Sequence, residues 1–108
     1  MPRRIKDLRR VGRSKLVPYK QGESASRRHE RRLGFNLKRE EIVRRWCETH
    51  GVEMQIHNGG HHWLFKRDGV VAEWWPSSAK FVVQKTFNKG IHVHDYQQAI
   101  GVLAGVFK

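Results

Sequence analysis

The residues best suited to chemistry are two adjacent histidines that follow two glycines in HNGGHHWLF, residues 57–65. Imidazole exchanges a proton near neutral pH, so a histidine can act as general base or acid when an RNA strand is cleaved by its own 2′-hydroxyl. The glycine amides could approach a phosphate closely, and Lys80 or Lys89 could stabilise the charge on phosphorus. His61 is therefore the candidate catalytic residue and His62 the weaker one. The alternative is a surface histidine that begins a strand and has no special role.

The charge of the chain points to a polyanionic partner. Its 108 residues include 22 Lys and Arg against 10 Asp and Glu, a formal net charge of +12 with a pI near 10.7. Residues 1–35 carry 12 of these basic residues and only three acidic ones, whereas all four tryptophans lie after residue 35. We therefore predict a basic, largely disordered arm at 1–35 and a folded nucleic-acid-binding domain at 36–108.

The candidate nucleic-acid contacts are the arginines of the arm, the basic residues of the domain and one exposed tryptophan. Alternation along a strand buries about half of the rings of Trp63, Trp74 and Trp75, which leaves one to stack on an unpaired base. A solubilising tail or a targeting peptide remains the alternative for the arm. The predicted contacts are Arg3, Arg4, Arg9, Arg10, Arg13, Arg27, Arg28, Arg31, Arg32, Arg44, Arg45, Lys80, Lys89 and Trp74.

The elements that would position these residues can be predicted from periodicity and turn signals. The predictions are a helix capped by Asn36 and ended by Gly51, strands at 52–56, 61–66 and 70–75, a short fourth strand or an excursion at 81–84, a turn at 88–90, and a last helix that starts at Asp95. The stripes of Val43, Cys47 and Leu103 give each helix one apolar face. We expect an α+β fold with an antiparallel sheet and two helices packed on one face.

This α-β-β-β-(β)-α order resembles the double-stranded-RNA-binding-domain fold. Over about residues 39–105 it is similar to the HicA-type (YcfA-like) toxins, which are small RNA-cleaving proteins paired with antitoxins. The similarity rests on Gly59-Gly60-His61-His62 at the start of a strand, on a third strand ending at Pro76, and on Lys89-Gly90 before the last helix. The resemblance implies metal-independent endoribonuclease activity with His61 as the catalytic residue, and an antitoxin as partner. The HHW…WWPSS pattern also looks similar to basic phage proteins.

The sequence also bears on membrane insertion, cellular compartment, metal binding and the kind of partner. No apolar run approaches the roughly 18 residues of a membrane span, and the single Cys47 favours a reducing, cytoplasmic compartment. His92 and His94 with His57 or His61 could bind zinc, but no regular ligand spacing supports it, so we expect no cofactor. RNA is the favoured partner and DNA the alternative. Without catalysis, the chain could be a phage or plasmid protein that binds a host nucleic-acid machine, or a basic ribosome-associated protein.

Overall fold

A computed structural model describes residues 12–85 and 87–108 of the chain. Its elements, in order, are α1 (Ala25–Leu37), α2 (Glu40–Thr49), β1 (Glu53–His57), a 3-10 turn (Asn58–Gly60), β2 (His62–Arg67), β3 (Val70–Trp75), β4 (Lys80–Val83), β5 (Phe87–His92) and α3 (Tyr96–Val106). The predicted α+β class is confirmed. The predicted contacts Arg3, Arg4, Arg9 and Arg10 lie outside the described residues.

The five strands form one antiparallel sheet in which each strand pairs with the next along the chain. Asp68 and Gly69 form a two-residue hairpin turn between β2 and β3, since both residues have positive φ and Arg67 pairs with Val70 across the turn. The optional fourth strand is present as β4. The turn predicted at 88–90 is wrong, since these residues lie inside β5, which adds a fifth strand to the sheet.

The hydrophobic core lies between one face of the sheet and the last two helices. Trp63, Trp74 and Phe81 fill the sheet side, and they are fully buried. Val43 and Cys47 of α2 and Ala99, Val102 and Leu103 of α3 belong to the same buried cluster. The prediction that two helices pack on one face of the sheet is therefore confirmed. No helix within the described residues has the length and apolar character needed to cross a membrane.

Helix α1 was not expected, and it corrects the prediction of an arm that is largely disordered up to residue 35. Ser24 caps α1 by accepting a hydrogen bond from the Arg27 amide at 3.2 Å. Asn36, predicted to cap the next helix, is buried inside α1 instead, where its amide donates to the carbonyls of Arg32 and His94. The sequence from residue 25 onward is therefore part of the folded structure.

The glycine pair forms a tight connection between β1 and β2. Asn58, Gly59 and Gly60 all have positive φ, and the connection brings His57 opposite His62. Gly60 is buried against the end of α1, where a Cβ atom would lie 2.3 Å from Cδ2 of Leu37. Its carbonyl accepts a hydrogen bond from the Trp63 indole at 2.8 Å. Gly60 thus has a packing role, and this role together with its positive φ explains the need for glycine at residue 60.

Candidate nucleic-acid interface

One residue from each strand forms a line across the sheet, on the face turned away from the helices. We call this line the transverse row: His57, His62, Trp75, Lys80 and His92. His57 pairs with His62, Trp75 with Lys80, and Lys80 with His92, so the row crosses neighbouring strands without a gap. Strand alternation sets its direction, because the neighbours Trp63, Trp74 and Ile91 point into the core.

The centre of the row is a stack of two rings held in place by hydrogen bonding. The imidazole of His62 lies parallel to the Trp75 indole, with 4.6 Å between ring centroids and 5° between planes. Its Nε2 is 3.1 Å from Oε1 of Glu73, and both side chains are about one-fifth exposed. Lys80 lies on the same face of the sheet, in β4 on the other side of β3 from His62, and its ammonium group is 5.5 Å from the Trp75 ring centroid. These contacts fix an aromatic surface beside a cation.

Trp74 was the wrong choice for the exposed tryptophan. Its side chain is fully buried, and its indole donates a hydrogen bond to the Val93 carbonyl at 2.8 Å. It also packs edge to face against Trp63 at 5.0 Å. Trp75, the next residue, carries the half-buried ring of the transverse row. The sequence held the signal needed, because the two-residue turn at 68–69 sets Trp63 opposite Trp74 and so places both on the buried face.

His61 lies in the connection before β2, and its side chain is exposed. Within the described parts of the chain, no hydrogen bond, ion pair or ring contact involves this side chain. Two nearby histidines do have such contacts: His62, whose partner is Glu73, and His57, whose ring centroid is 5.7 Å from that of His62. Lys80 is exposed in the transverse row, and the side chain of Lys89 is outside the described part of the structure. The catalytic role of His61 stays a prediction.

A cavity is lined by the segment of residues 13–19, by α1 and by His94, and four of its eight lining residues are arginines. Its volume is about 270 Å³. We call it the arginine cavity, and its lining residues are Arg13, Ser14, Val17, Tyr19, Arg28, Arg31, Arg32 and His94. The predicted contacts Arg13, Arg28, Arg31 and Arg32 are thereby brought together from two segments of the chain. The segment is attached to α3 through Ser14, whose hydroxyl donates to the carboxylate of Asp95.

Most of the positive charge in the arginine cavity has no acidic partner among the described residues. Arg31 is the exception, since it binds Glu23 through two hydrogen bonds of 2.7 and 2.8 Å. These bonds lower the pKa of Glu23 and raise that of Arg31. Arg32 is only 8% exposed and donates to the Ser77 carbonyl at 2.8 Å. Burial lowers the pKa of Arg32, and the charges of Arg28 and Arg31 lower it further.

Two further polar groups of the arginine cavity are buried without a partner. They are Nε of Arg28 and Nδ1 of His94. The Arg28 guanidinium lies 5.3 Å from the centroid of the Tyr19 ring, which is 64% exposed. Burial, followed by the charge of Arg32, lowers the pKa of His94. Unpartnered buried polar atoms are rare in folded proteins, and these two lie beside arginines that have no acidic partner in the described part of the chain.

The transverse row and the arginine cavity are linked through β5 and the residues after it. His92 ends the row, and its ring lies 6.2 Å from that of His94, with 15° between the planes. Arg32 reaches the same region through the carbonyl of Ser77, three residues before Lys80. The contact between His92 and His94 therefore brings the end of the transverse row next to one wall of the arginine cavity.

The remaining predicted contacts lie elsewhere. Arg44 pairs with Glu40 at 3.0 Å and Arg45 with Glu41 at 3.5 Å, each along one face of α2. These acids compensate the charge that was expected to follow phosphates. Arg27 is exposed on α1 and does not line the arginine cavity. In the described residues, no group of three or more His, Cys, Asp or Glu side chains could hold a metal ion.

Comparison of the chain with family models, with curated proteins and with solved structures finds no match. The similarity to HicA-type toxins therefore stays a prediction that rests on the residues quoted for it.

Proposed function

We propose that this protein binds single-stranded nucleic acid, with RNA as the favoured polymer, along the surface formed by the transverse row and the arginine cavity. The observation that carries the proposal is the transverse row, which combines a held aromatic stack with a cation on an open sheet face. Unpaired bases stack on aromatic side chains whatever their sequence, because every base has a π-face. A strand bound there would place its phosphates near Lys80 and the uncompensated arginines.

The geometry of His62 and Trp75 favours stacking over a purely electrostatic contact. Their rings are parallel, and Glu73 holds the imidazole from the side, so the platform loses little conformational entropy when a base binds. Stacking on one aromatic ring contributes about 1–3 kcal/mol per base. The cations beside it add affinity that falls as salt rises, because each phosphate contact releases counterions.

The test is a comparison of binding affinities between variants of the transverse row and a control on the same sheet face. We expect Trp75→Ala to weaken binding of a fluorescent single-stranded RNA by about fivefold or more, from the stacking energy above. Lys80→Gln should weaken it and reduce its salt dependence. Lys66→Gln is the matched control. Lys66 also lies in β2, but it is opposite Glu53 in the strand register and outside the row. Equal affinities for all four proteins would refute the proposal.

RNA cleavage is a second candidate function, favoured by the pairing of His57 with His62 beside Glu73. In such a reaction the 2′-oxygen attacks phosphorus, the bond to the 5′-oxygen breaks, and a 2′,3′-cyclic phosphate and a 5′-hydroxyl result. One imidazole accepts the 2′ proton and another protonates the leaving oxygen. Incubation of RNA with wild-type, His57→Ala, His61→Ala and His62→Ala proteins tests this. Loss of cleavage in a variant identifies its imidazole as one of the two proton-transfer groups, and intact RNA with the wild type refutes the activity.

The alternative is a protein that only docks on a host nucleic-acid machine. Such a protein would bind its partner without affinity for free RNA, so RNA binding by the purified chain distinguishes the two functions. A cytoplasmic location fits the proposal, because the one cysteine, Cys47, is free and buried in the core.

A further inference from the structure

We infer that the arginine cavity is a site for a phosphate monoester, and that in this protein it holds the terminal phosphate of the bound strand. This inference rests on the proposed function and adds a preference for one kind of strand end. It is carried by a cavity of about 270 Å³ whose walls hold four arginines and two unpartnered buried nitrogen atoms.

The uncompensated charge of the arginine cavity suits a doubly charged group. Glu23 neutralises Arg31, which leaves Arg13, Arg28 and Arg32 without a salt bridge among the described residues. A phosphate monoester carries a charge of about −1.5 to −2 at pH 7, whereas a phosphodiester within a strand carries −1. Since three positive charges line one cavity, the more highly charged group gains more from entering it.

The hydrogen-bonding groups of the arginine cavity also fit such a ligand. A guanidinium binds phosphate oxygens through paired N–H donors, and Nε of Arg28 is a buried donor that no group in the structure satisfies. A terminal phosphate has three oxygen acceptors to offer. Nδ1 of His94 can donate to the same group when it carries the proton. The carboxylate oxygens of the nearby Asp95 accept from the Ser14 hydroxyl and from the Gln98 backbone amide, and this carboxylate forms no ion pair with the described arginines.

Tyr19 indicates where the sugar and base beyond the phosphate would lie. Its ring lines the arginine cavity and is 64% exposed, with the Arg28 guanidinium over it. A terminal nucleotide whose phosphate entered the cavity would therefore have an aromatic ring within reach of its base. From the same cavity, the contact between His94 and His92 leads to the transverse row, so the following nucleotides have a path across the sheet.

The experiment compares three single-stranded RNAs of one sequence, carrying a 5′-phosphate, a 3′-phosphate or hydroxyls at both ends, by isothermal titration calorimetry. We expect one of the phosphorylated strands to bind at least about tenfold more tightly than the hydroxyl-ended strand, as expected for one charge-assisted contact. Arg28→Gln and Arg32→Gln should each remove this preference. Arg27→Gln should keep this preference, because the substitution removes the same charge from the same helix at a residue that does not line the cavity.

The outcomes separate this inference from the proposed function. Equal affinity of the wild type for all three RNAs overturns the terminal-phosphate site but leaves RNA binding intact. If none of the RNAs binds, the proposed function fails. The cavity alone is then tested by titration with inorganic phosphate and with uridine monophosphate, in which ¹⁵N NMR follows the signals of Arg28 Nε and His94 Nδ1. Shifts of both signals support a monoester site, and no shift refutes it. Free phosphate that binds as tightly as the strand end refutes the role of the strand.

Discussion

Replacement of Arg32 by methionine is expected to stabilise the protein and at the same time remove its response to anions. Arg32 is 8% exposed and has one hydrogen bond, to the Ser77 carbonyl, and no carboxylate partner among the described residues. Loss of that charge-assisted bond costs about 1.5–3 kcal/mol. Burial of an ion carries a desolvation penalty of several kcal/mol, which an apolar side chain of similar volume does not carry. We therefore expect the free energy of unfolding to rise by about 1 kcal/mol.

Urea unfolding followed by tryptophan fluorescence measures this change, with Arg27→Met as the control of equal charge. Added inorganic phosphate should raise the midpoint of wild-type protein, because a ligand that binds only the folded state stabilises it. It should raise the midpoint of Arg27→Met to the same extent and leave that of Arg32→Met almost unchanged. The reasoning is refuted if Arg32→Met unfolds more easily than wild type, since Arg32 would then be a net structural contact.

Three further predictions concern the turn, the core and the pH dependence. Gly60→Ala should destabilise the fold by about 1–3 kcal/mol through backbone strain and contact with Leu37. Gly59→Ala should cost less, because a Cβ atom at residue 59 meets no atom within 4 Å. Urea unfolding of both variants measures the two losses of stability, and equal losses would contradict the prediction. Burial raises the pKa of Cys47 to about 11 from 9.0, so alkylation at pH 8 should be about a hundredfold slower in folded than in unfolded protein; equal rates would contradict it. Burial lowers the pKa of His94, so the unfolded chain binds more protons between that lowered pKa and the ordinary value of 6.5. The free energy of unfolding should therefore decrease as pH falls from 7.5 to about 5.5, and His94→Gln should show a smaller decrease; equal decreases in the two proteins would contradict the assignment.

The strands and their connections could be predicted because their signals are local. Alternation of large apolar residues and a two-residue Asp-Gly turn identify β2 and β3 from a few residues each, and Pro76 ends β3 as expected. The last helix was equally clear, since Asp95 caps it by accepting from the Gln98 amide. These elements decide the predicted α+β class.

Helix α1 and the arginine cavity were out of reach because their partners are distant in sequence. The buried face of α1 consists of Arg32 and Asn36, polar residues that give no apolar stripe. Their hydrogen bonds go to Ser77 and His94, 45 and 58 residues away, so only the folded chain satisfies them. Charge counting found the arginines but not their arrangement, because composition carries no information on which of them lie together.

The most direct test of the central claim is the affinity of the purified protein for single-stranded RNA, double-stranded RNA and single-stranded DNA, titrated against salt. We expect the tightest binding to single-stranded RNA. With at least four phosphate contacts, the logarithm of its association constant should fall with the logarithm of salt concentration with a slope of about −3 or steeper. Trp75→Ala should lower the affinity and leave this slope unchanged. Absence of binding to all three polymers in dilute buffer would contradict the account.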